Sequence, residues 1–267
     1  MTPPAPSAPS ALSVIVTGGA SGIGAAVARR VIAGGGHVAI LDLNLEAAQA
    51  LAHELGPQAV AAPGNVLDEP GLCLAAEDLS QHLPPVNGLV NCAGIAQVPT
   101  TIEDFATEQW SRILDSHLTG TYIACRVFGA AMAARGSGAV VNIASVLAFR
   151  PGPVLAYGAA KAAVVNLTEA LAVQWARRGV RVNAVAPGWT DTPFLRPKER
   201  QGERDFTPIL RATPMGRLMQ PSEIAEVIHF LLSPAASAVT GATVPCDGGV
   251  IAGSGWGPYG GFEAVGA

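Results

Sequence analysis

Short apolar runs alternate with helix-forming stretches along almost all of this chain, and that alternation restricts the fold more than any other feature. Val14-Ile15-Val16 is continuous, β-branched and stopped by Gly18-Gly19, so it reads as a buried strand. Similar runs predict strands at 37–41, from Val60, and at 88–91, 139–144, 180–185 and 243–246. The stretches between them predict helices at 22–33, 45–55, 71–83, 107–135, 155–178 and 221–232. Gly34-Gly35-Gly36 ends the first helix and Gly56-Pro57 the second; Pro221 and Glu223 suit the opening turn of the last. Such alternation means βαβ units with right-handed crossovers and a sheet covered on both faces. The expected fold class is α/β: a single doubly wound domain with a mostly parallel seven-stranded sheet and helices on both faces.

Composition supports a large core and narrows the partners. Of 267 residues, 49% are hydrophobic and 13% charged. The formal net charge is −4 and no Lys/Arg run occurs, which argues against a nucleic-acid partner. Cys73, Cys92, Cys125 and Cys246 form no CxxC pair and no Cys/His cluster has metal-ligand spacing, so buried thiols in a reducing compartment and no metal are expected. No apolar run reaches the ~18 residues of a membrane span, and residues 1–11, rich in Pro, Ala and Ser, lack the features of a signal peptide. The expectation is a cytoplasmic protein with no membrane partner: a disordered segment at 1–11, one domain at 12–250 and a tail at 251–267.

The turn Thr17-Gly18-Gly19-Ala20-Ser21-Gly22-Ile23-Gly24 joins the first strand to the first helix, where a dinucleotide-binding fold holds its pyrophosphate. Missing Cβ atoms let the backbone turn tightly and approach phosphates, and the helix N-terminus attracts their charge. The spacing is GxxxGxG rather than GxGxxG, and no Lys-Ser/Thr follows as in an NTP-binding loop. Gly18, Ser21, Gly22, Ile23 and Gly24 are the candidate cofactor contacts here. Asp42, with Leu43 beside it, closes the second strand, where a carboxylate can accept from the adenosine ribose hydroxyls and repel a 2′-phosphate. No Arg or Lys stands at Ser21 or just after Asp42, so the expected cofactor is NAD rather than NADP.

Tyr157 and Lys161 are four residues apart and share a helix face. An ammonium beside a phenol lowers its pKa toward working pH, and such a tyrosine can exchange a proton with an alcohol or carbonyl oxygen. Ser145 lies just past the fifth strand, and ligands of an open parallel sheet bind beyond the carboxyl ends of its strands. Together with the glycine turn, these three residues form a candidate catalytic group.

On these residues, and on Asn91-Cys92-Ala93-Gly94, Val141-Asn142-Ile143-Ala144-Ser145, Arg181-Val182-Asn183-Ala184-Val185-Ala186-Pro187-Gly188 and Asp247-Gly248-Gly249, the chain resembles the short-chain dehydrogenase/reductase superfamily of Rossmann-fold enzymes from about residue 13 to 250. The resemblance implies that Asn91, Ala93 and Gly94 edge the adenine and ribose site and that Asn65-Val66 hold the adenine, although the family more often has Asp-Val. It implies that Ile143, Pro187 and Gly188 flank the nicotinamide, that Thr190 and Thr192 meet its carboxamide, and that Asn183 braces the fold. The family usually carries a fourth catalytic residue, Asn, where this chain has His117. An imidazole can serve the water-linked proton relay behind Lys161, and would bring a pH dependence near neutrality, or it can simply pack.

The implied reaction is hydride transfer between NAD(H) and a small secondary alcohol, polyol or sugar, or the matching ketone. Tyr157 moves the proton, Ser145 orients the oxygen, and Lys161 stabilises the phenolate and holds the ribose. A lid is expected at 193–215, its alternating charges (Arg196, Lys198, Glu199, Arg200, Glu203, Arg204, Asp205) facing water. Ile95, Val146, Leu147, Leu155, Trp189 and Phe194 are the expected apolar walls. Two other readings stand beside this one: a 3-oxoacyl thioester (acyl-carrier-protein) reductase, which would call for NADP, and a non-catalytic dinucleotide-binding regulator. The resemblance implies a homotetramer, with a homodimer as the alternative. The tail, with Trp256, Tyr259 and Phe262, is expected either to move freely or to dock on a neighbouring subunit.

Overall fold

A computed structural model describes residues 11–196, 205–256 and 261–262. Seven parallel strands lie in the order β3-β2-β1-β4-β5-β6-β7. They are β1 (Ser13–Thr17), β2 (His37–Asp42), β3 (Ala59–Pro63), β4 (Gly88–Asn91), β5 (Gly138–Ile143), β6 (Val180–Pro187) and β7 (Thr243–Cys246). The helices are α1 (Gly22–Ala33), α2 (Leu45–Leu55), α3 (Glu69–His82), α4 (Thr107–Leu114), α5 (Gly120–Ala124), α6 (Ala130–Arg135), α7 (Leu155–Ala176), α8 (Thr207–Arg211), α9 (Pro221–Leu232) and α10 (Val250–Gly253). The expected doubly wound α/β fold is the one observed.

Period-two alternation along the strands splits the core into two layers. Val14, Val16, Val38, Ile40, Val90 and Val141 face α1, α2 and α9, where Val27, Val31, Leu51, Ile224, Ile228 and Leu231 meet them. Ile15, Leu41, Leu89, Val140 and Val182 point the other way, against Leu72, Leu79, Phe128, Met132 and Trp175. Each such fully buried aliphatic side chain contributes roughly 1.5–3 kcal/mol, so both faces hold the sheet rigid. Two polar devices lock the layers. Asn91 donates to Asn142 (2.8 Å), which donates to Thr168 of α7 (2.9 Å). Arg181 donates to the carbonyls of Leu231, Leu232 and Ser233, satisfying the C-terminus of α9.

Several boundaries differ from the sequence reading for local reasons. α3 starts at Glu69 rather than 71, because Asp68 accepts from the Gly71 N–H and caps it. The predicted helix at 107–135 is interrupted by π turns at Asp115–Thr119 and Cys125–Gly129. Turns of this kind re-aim side chains and recur at functional sites; the first carries His117, which is buried. Strand order reverses across β1 and β4, and the carboxyl ends of β1, β4, β5 and β6 meet at that crevice.

Candidate active site

The glycine turn is shaped by contacts no side chain would tolerate. Gly18 has φ +63°, and a Cβ there would lie 2.7 Å from the Ala93 Cα. Gly22 has φ +52°, and a Cβ on Gly24 would overlap the Gly18 carbonyl. The turn is tied to β2 by Gly19 N–H donating to the Leu41 carbonyl (3.2 Å) and Ala20 N–H donating to Asp42 Oδ2 (3.0 Å). Ser21 is the exposed N-cap of α1, and its side chain caps nothing. The N–H groups of this first turn therefore lack the usual side-chain acceptor, which suits an anion. Asp42 also accepts from Asn44 N–H (3.0 Å), so it braces the turn besides presenting a carboxylate at the strand end; Leu43 beside it is 75% exposed.

Across the crevice, Tyr157 and Lys161 share the opening turns of α7. Lys161 is buried; its Nζ donates to the Ile143 carbonyl at the end of β5 (2.6 Å) and lies 5.7 Å from the Tyr157 ring centre. Burial pulls the Lys161 ammonium down to about 8, against a small opposing pull from the Cys92 thiol. Ser145 Oγ accepts from the Leu147 N–H (3.2 Å) and lies near enough to the Tyr157 hydroxyl to act on it. The expectation that Lys161 dominates the phenol is corrected here. Burial pushes the Tyr157 pKa up, and the force that opposes it comes from Ser145. The ammonium is turned to Ile143 instead.

His117 stands edge-on to Tyr157, with ring centres 5.0 Å apart at 88°. Its Nε2 is 2.8 Å from the Ile95 carbonyl and 3.3 Å from the Ile95 nitrogen. The shorter contact puts the proton on Nε2, leaving Nδ1 a bare buried acceptor without a partner. Gly94 makes room for the ring, since a Cβ there would overlap it. Burial first, and then the Lys161 charge, drive the His117 pKa down to about 3. The imidazole is therefore neutral throughout the physiological range, which removes the expected pH dependence near neutrality.

Other expected contacts sort into those that reach the crevice and those that do not. The Asn91 side chain turns inward to Asn142 and Cys125, so it binds the sheet together rather than edging the adenine site. Ala93 keeps its place by backbone, against Gly18. Asn65 Oδ1 accepts from Leu67 N–H (3.1 Å), closing its own turn with the oxygen expected to meet the adenine. Val66 is buried and packs on Gly120. Asn183 braces β6 against 239–242, as expected.

Pro187 ends β6, and Gly188 allows the backbone of Asp247 to pass, since a Cβ would be 2.7 Å from its Cα. The Thr190 and Thr192 hydroxyls donate to Gly188 and Thr190 carbonyls, within their own loop, instead of pointing outward. Thr192 closes on Gly22, and Phe194 leans on Tyr157 at 5.8 Å, so this loop bridges the glycine turn and the phenol. Of the expected walls, Leu147 and Ile95 are half-buried, Leu155 and Phe194 lie at the rim, and Val146 is buried. Trp189 instead joins a separate small cluster with Leu195, Ile209 and Leu218.

Arg196 pairs with Asp191 and covers Phe206 at 4.2 Å rather than facing water alone. Lys198, Glu199, Arg200, Glu203 and Arg204 lie outside the described residues, as do 1–10 and Tyr259. The described tail packs on its own chain: Ser254 accepts from Arg150 (2.8 Å), and Phe262 lies against Gly253 and Trp256. Sequence reasoning missed Gln97, whose Oε1 accepts from the Tyr157 N–H (2.9 Å), because nothing in a single sequence links a loop glutamine to a helix sixty residues on. No group of three or more His, Cys, Asp or Glu able to hold a metal occurs among the described residues.

The chain matches the family model described as enoyl-(acyl carrier protein) reductase over residues 18–251. It is 44% identical to galactitol 2-dehydrogenase (L-tagatose-forming) of Cereibacter sphaeroides, over 88% of this chain and 92% of that one. It is 38% identical to D-threitol dehydrogenase of Mycolicibacterium smegmatis, over 88% and 91%. Among solved structures it is similar to an oxidoreductase of the short-chain dehydrogenase/reductase family from Burkholderia thailandensis (TM-score 0.85, 32% identity, 94% and 98% covered). It is also similar to a 3-ketoacyl-(acyl-carrier-protein) reductase from Brucella melitensis complexed with NADH (TM-score 0.82, 33% identity, 90% and 98% covered). With a family model matched over residues 18–251, a curated relative 44% identical over 88% of the chain and the parallel seven-stranded sheet, the chain belongs to the short-chain dehydrogenase/reductase family.

Proposed function

We propose that this enzyme transfers a hydride between NAD(H) and a small secondary alcohol or its ketone, with Tyr157 as the acid–base, Ser145 and Lys161 beside it, and a polyol as the substrate class. The observation that carries the reading is that Tyr157 and Lys161 stand together at the start of α7, with Nζ 5.7 Å from the phenol ring and buried Ser145 beside them, at the mouth of the crevice that the glycine turn opens. When bound, the nicotinamide accepts the pair of electrons that leaves the carbinol carbon as hydride. The residues of this chain handle everything else. Ser145 orients the substrate oxygen, and the Tyr157 phenolate takes its proton; in reduction the phenol gives it back. Burial opposes the phenolate, and Ser145 acts against that cost during oxidation. One N–H of Lys161 is used by Ile143, and the other two remain for a ribose hydroxyl. His117 serves as a neutral link: Nε2 fixes Ile95, and Nδ1 is an acceptor for a proton-carrying water.

The preference for NAD rests on the Asp42 carboxylate at the end of β2, with no basic residue at Ser21 or Leu43 to offset a 2′-phosphate. Cofactor choice does not separate this reading from the acyl-carrier-protein reductase, since one such relative is complexed with NADH. The curated relatives named for galactitol and threitol favour the polyol. Small exposed residues along α7, with Val173 among them, support self-association into the homotetramer the family resemblance implies. The reading is tested by NADH and NADPH fluorescence titration, followed by turnover on polyols, simple alcohols and 3-oxoacyl thioesters. Tighter NADH binding and polyol oxidation are expected; NADPH preference with thioester reduction alone would overturn it.

A further inference from the structure

Five buried side-chain polar atoms among the described residues have no hydrogen-bond partner, and two of them, Gln97 Nε2 and His117 Nδ1, belong to residues in contact with Tyr157. An orphaned buried donor costs about 1–3 kcal/mol and persists where function requires it. Gln97 has no structural need for that second group, because its Oε1 alone serves the fold. Val154, the N-cap of α7, offers no side-chain acceptor, and Gln97 supplies one to the Tyr157 N–H from a distant loop. A second bond, Thr100 N–H to the Pro153 carbonyl (3.3 Å), ties the same loop to the same helix start. The acceptor end of the amide is thereby fixed beside the catalytic residue, and the donor end is held with it.

We infer that Gln97 is a specificity-determining residue whose Nε2 donates to a second substrate oxygen, on the carbon next to the reacting one, so that the site selects vicinal diols, polyols and their hydroxyketones. The inference rests on the proposed alcohol dehydrogenase reading and narrows it. An uncharged N–H donor reads an uncharged oxygen, and the walls expected for the substrate from the sequence, Ile95, Leu147, Leu155 and Phe194, carry no charge. Arg150, three residues before Pro153, is engaged with Ser254 and the Phe149 carbonyl. A substrate lacking the second oxygen leaves the donor unpaired in the complex, which is how a hydrogen-bonding site rejects an analogue.

Two size-matched pairs test this. In the oxidative direction the pair is 1,2-cyclohexanediol and cyclohexanol; in the reductive direction, 1,2-cyclohexanedione and cyclohexanone. Wild-type enzyme is expected to favour the two-oxygen member in kcat/KM by at least about tenfold. Gln97→Leu removes both amide functions and should bring the ratio close to one. Gln97→Glu keeps the acceptor for Tyr157 N–H but, as a carboxylate, offers no donor; it should bring the dione-to-cyclohexanone ratio in kcat/KM close to one, whatever the change in the absolute value for each. That variant carries the test if Gln97→Leu does not fold. An equal fall for both members of a pair, or an unchanged ratio, would assign Gln97 to helix capping alone and overturn the inference. Wild-type turnover of cyclohexanol without any preference for the diol overturns it too, while sparing the parent reading. Turnover of none of the four compounds sinks both.

Discussion

The glycine turn and the described stretches 188–196 and 205–218 border the same crevice, yet they are held in opposite ways. The turn is fixed by backbone: Gly19 and Ala20 bond to the end of β2, and Gly18 lies against Ala93 at the end of β4. It cannot move without the sheet. The two stretches are held by side chains: a small cluster of Leu195, Ile209 and Leu218, the Arg196–Asp191 pair, and the Arg217–Glu223 pair that ties their far end to α9. Such a unit can open at a free energy well below that of global unfolding. We propose that the cofactor side is preformed while the cluster of Leu195, Ile209 and Leu218 forms a separable cover on the substrate side, as expected where closure excludes water from a reacting centre.

The largest effect should come from the rigid side. Gly24→Ala drives a methyl group into the Gly18 carbonyl, which is backbone and cannot yield. Overpacking of this kind costs about 1–3 kcal/mol; the melting temperature should fall by several degrees, and NADH affinity, read by fluorescence titration, at least about tenfold. Equal NADH affinity would break the idea that the turn is a phosphate cradle. On the cover, Leu195→Ala removes part of a detached cluster. A calorimetric scan should show a shift below about 2 °C, because this cluster opens apart from the sheet, while KM for the alcohol rises about tenfold with NADH affinity intact. A melting shift as large as that of Gly24→Ala would mean the cover is part of the main cooperative unit.

His117 sharpens the comparison further, since it is a titratable group buried on the rigid side. Its pKa of about 3 means that it stays neutral as pH is varied from 5 to 8. The kcat/KM profile of wild type and of His117→Asn should therefore have the same shape in that window, with the variant within about threefold in magnitude. A limb near pH 6.5 that vanishes in the variant would show that the imidazole titrates. The smallest effect belongs to the ion pair of Arg217 with Glu223 of α9. Glu223, held down to about 2 by Arg217 and the Gln220 N–H, is largely exposed. A depressed carboxylate stabilises the fold above its ordinary pKa and loses that contribution as pH falls from about 4.5 towards 2. Glu223→Gln should cost less than about 1 kcal/mol at pH 7 by urea titration, with the difference from wild type shrinking in acid.

How much was legible in the chain follows the same division. The strands and helices of the sheet announce themselves through apolar runs and glycine or proline stops, and α1, α2, β4, α9 and β7 fall where the sequence placed them. Ser145, Tyr157 and Lys161 were legible because their position relative to predicted strands carries chemical meaning. Side-chain direction was not. Asn91 looks like a strand-end binding residue, yet the Asn142 amide draws it inward; Trp189 looks like a pocket wall, yet the cover needs it for its own core. The π turn that buries His117 and the contact from Gln97 to Tyr157 depend on packing between distant segments, which periodicity cannot encode. The short helices α8 and α10 were missed because four or five residues are too few to set a period.

The whole site depends on one phenol as the group that moves the proton. Replacing Tyr157 with Phe keeps the ring against His117 and Phe194 and deletes the hydroxyl that meets Ser145. Steady-state turnover with a polyol and NAD, beside NADH titration on the same preparation, measures the consequence. We predict a fall in kcat of at least about 100-fold with NADH affinity within about threefold; near-native kcat with intact cofactor binding would contradict the account at its centre.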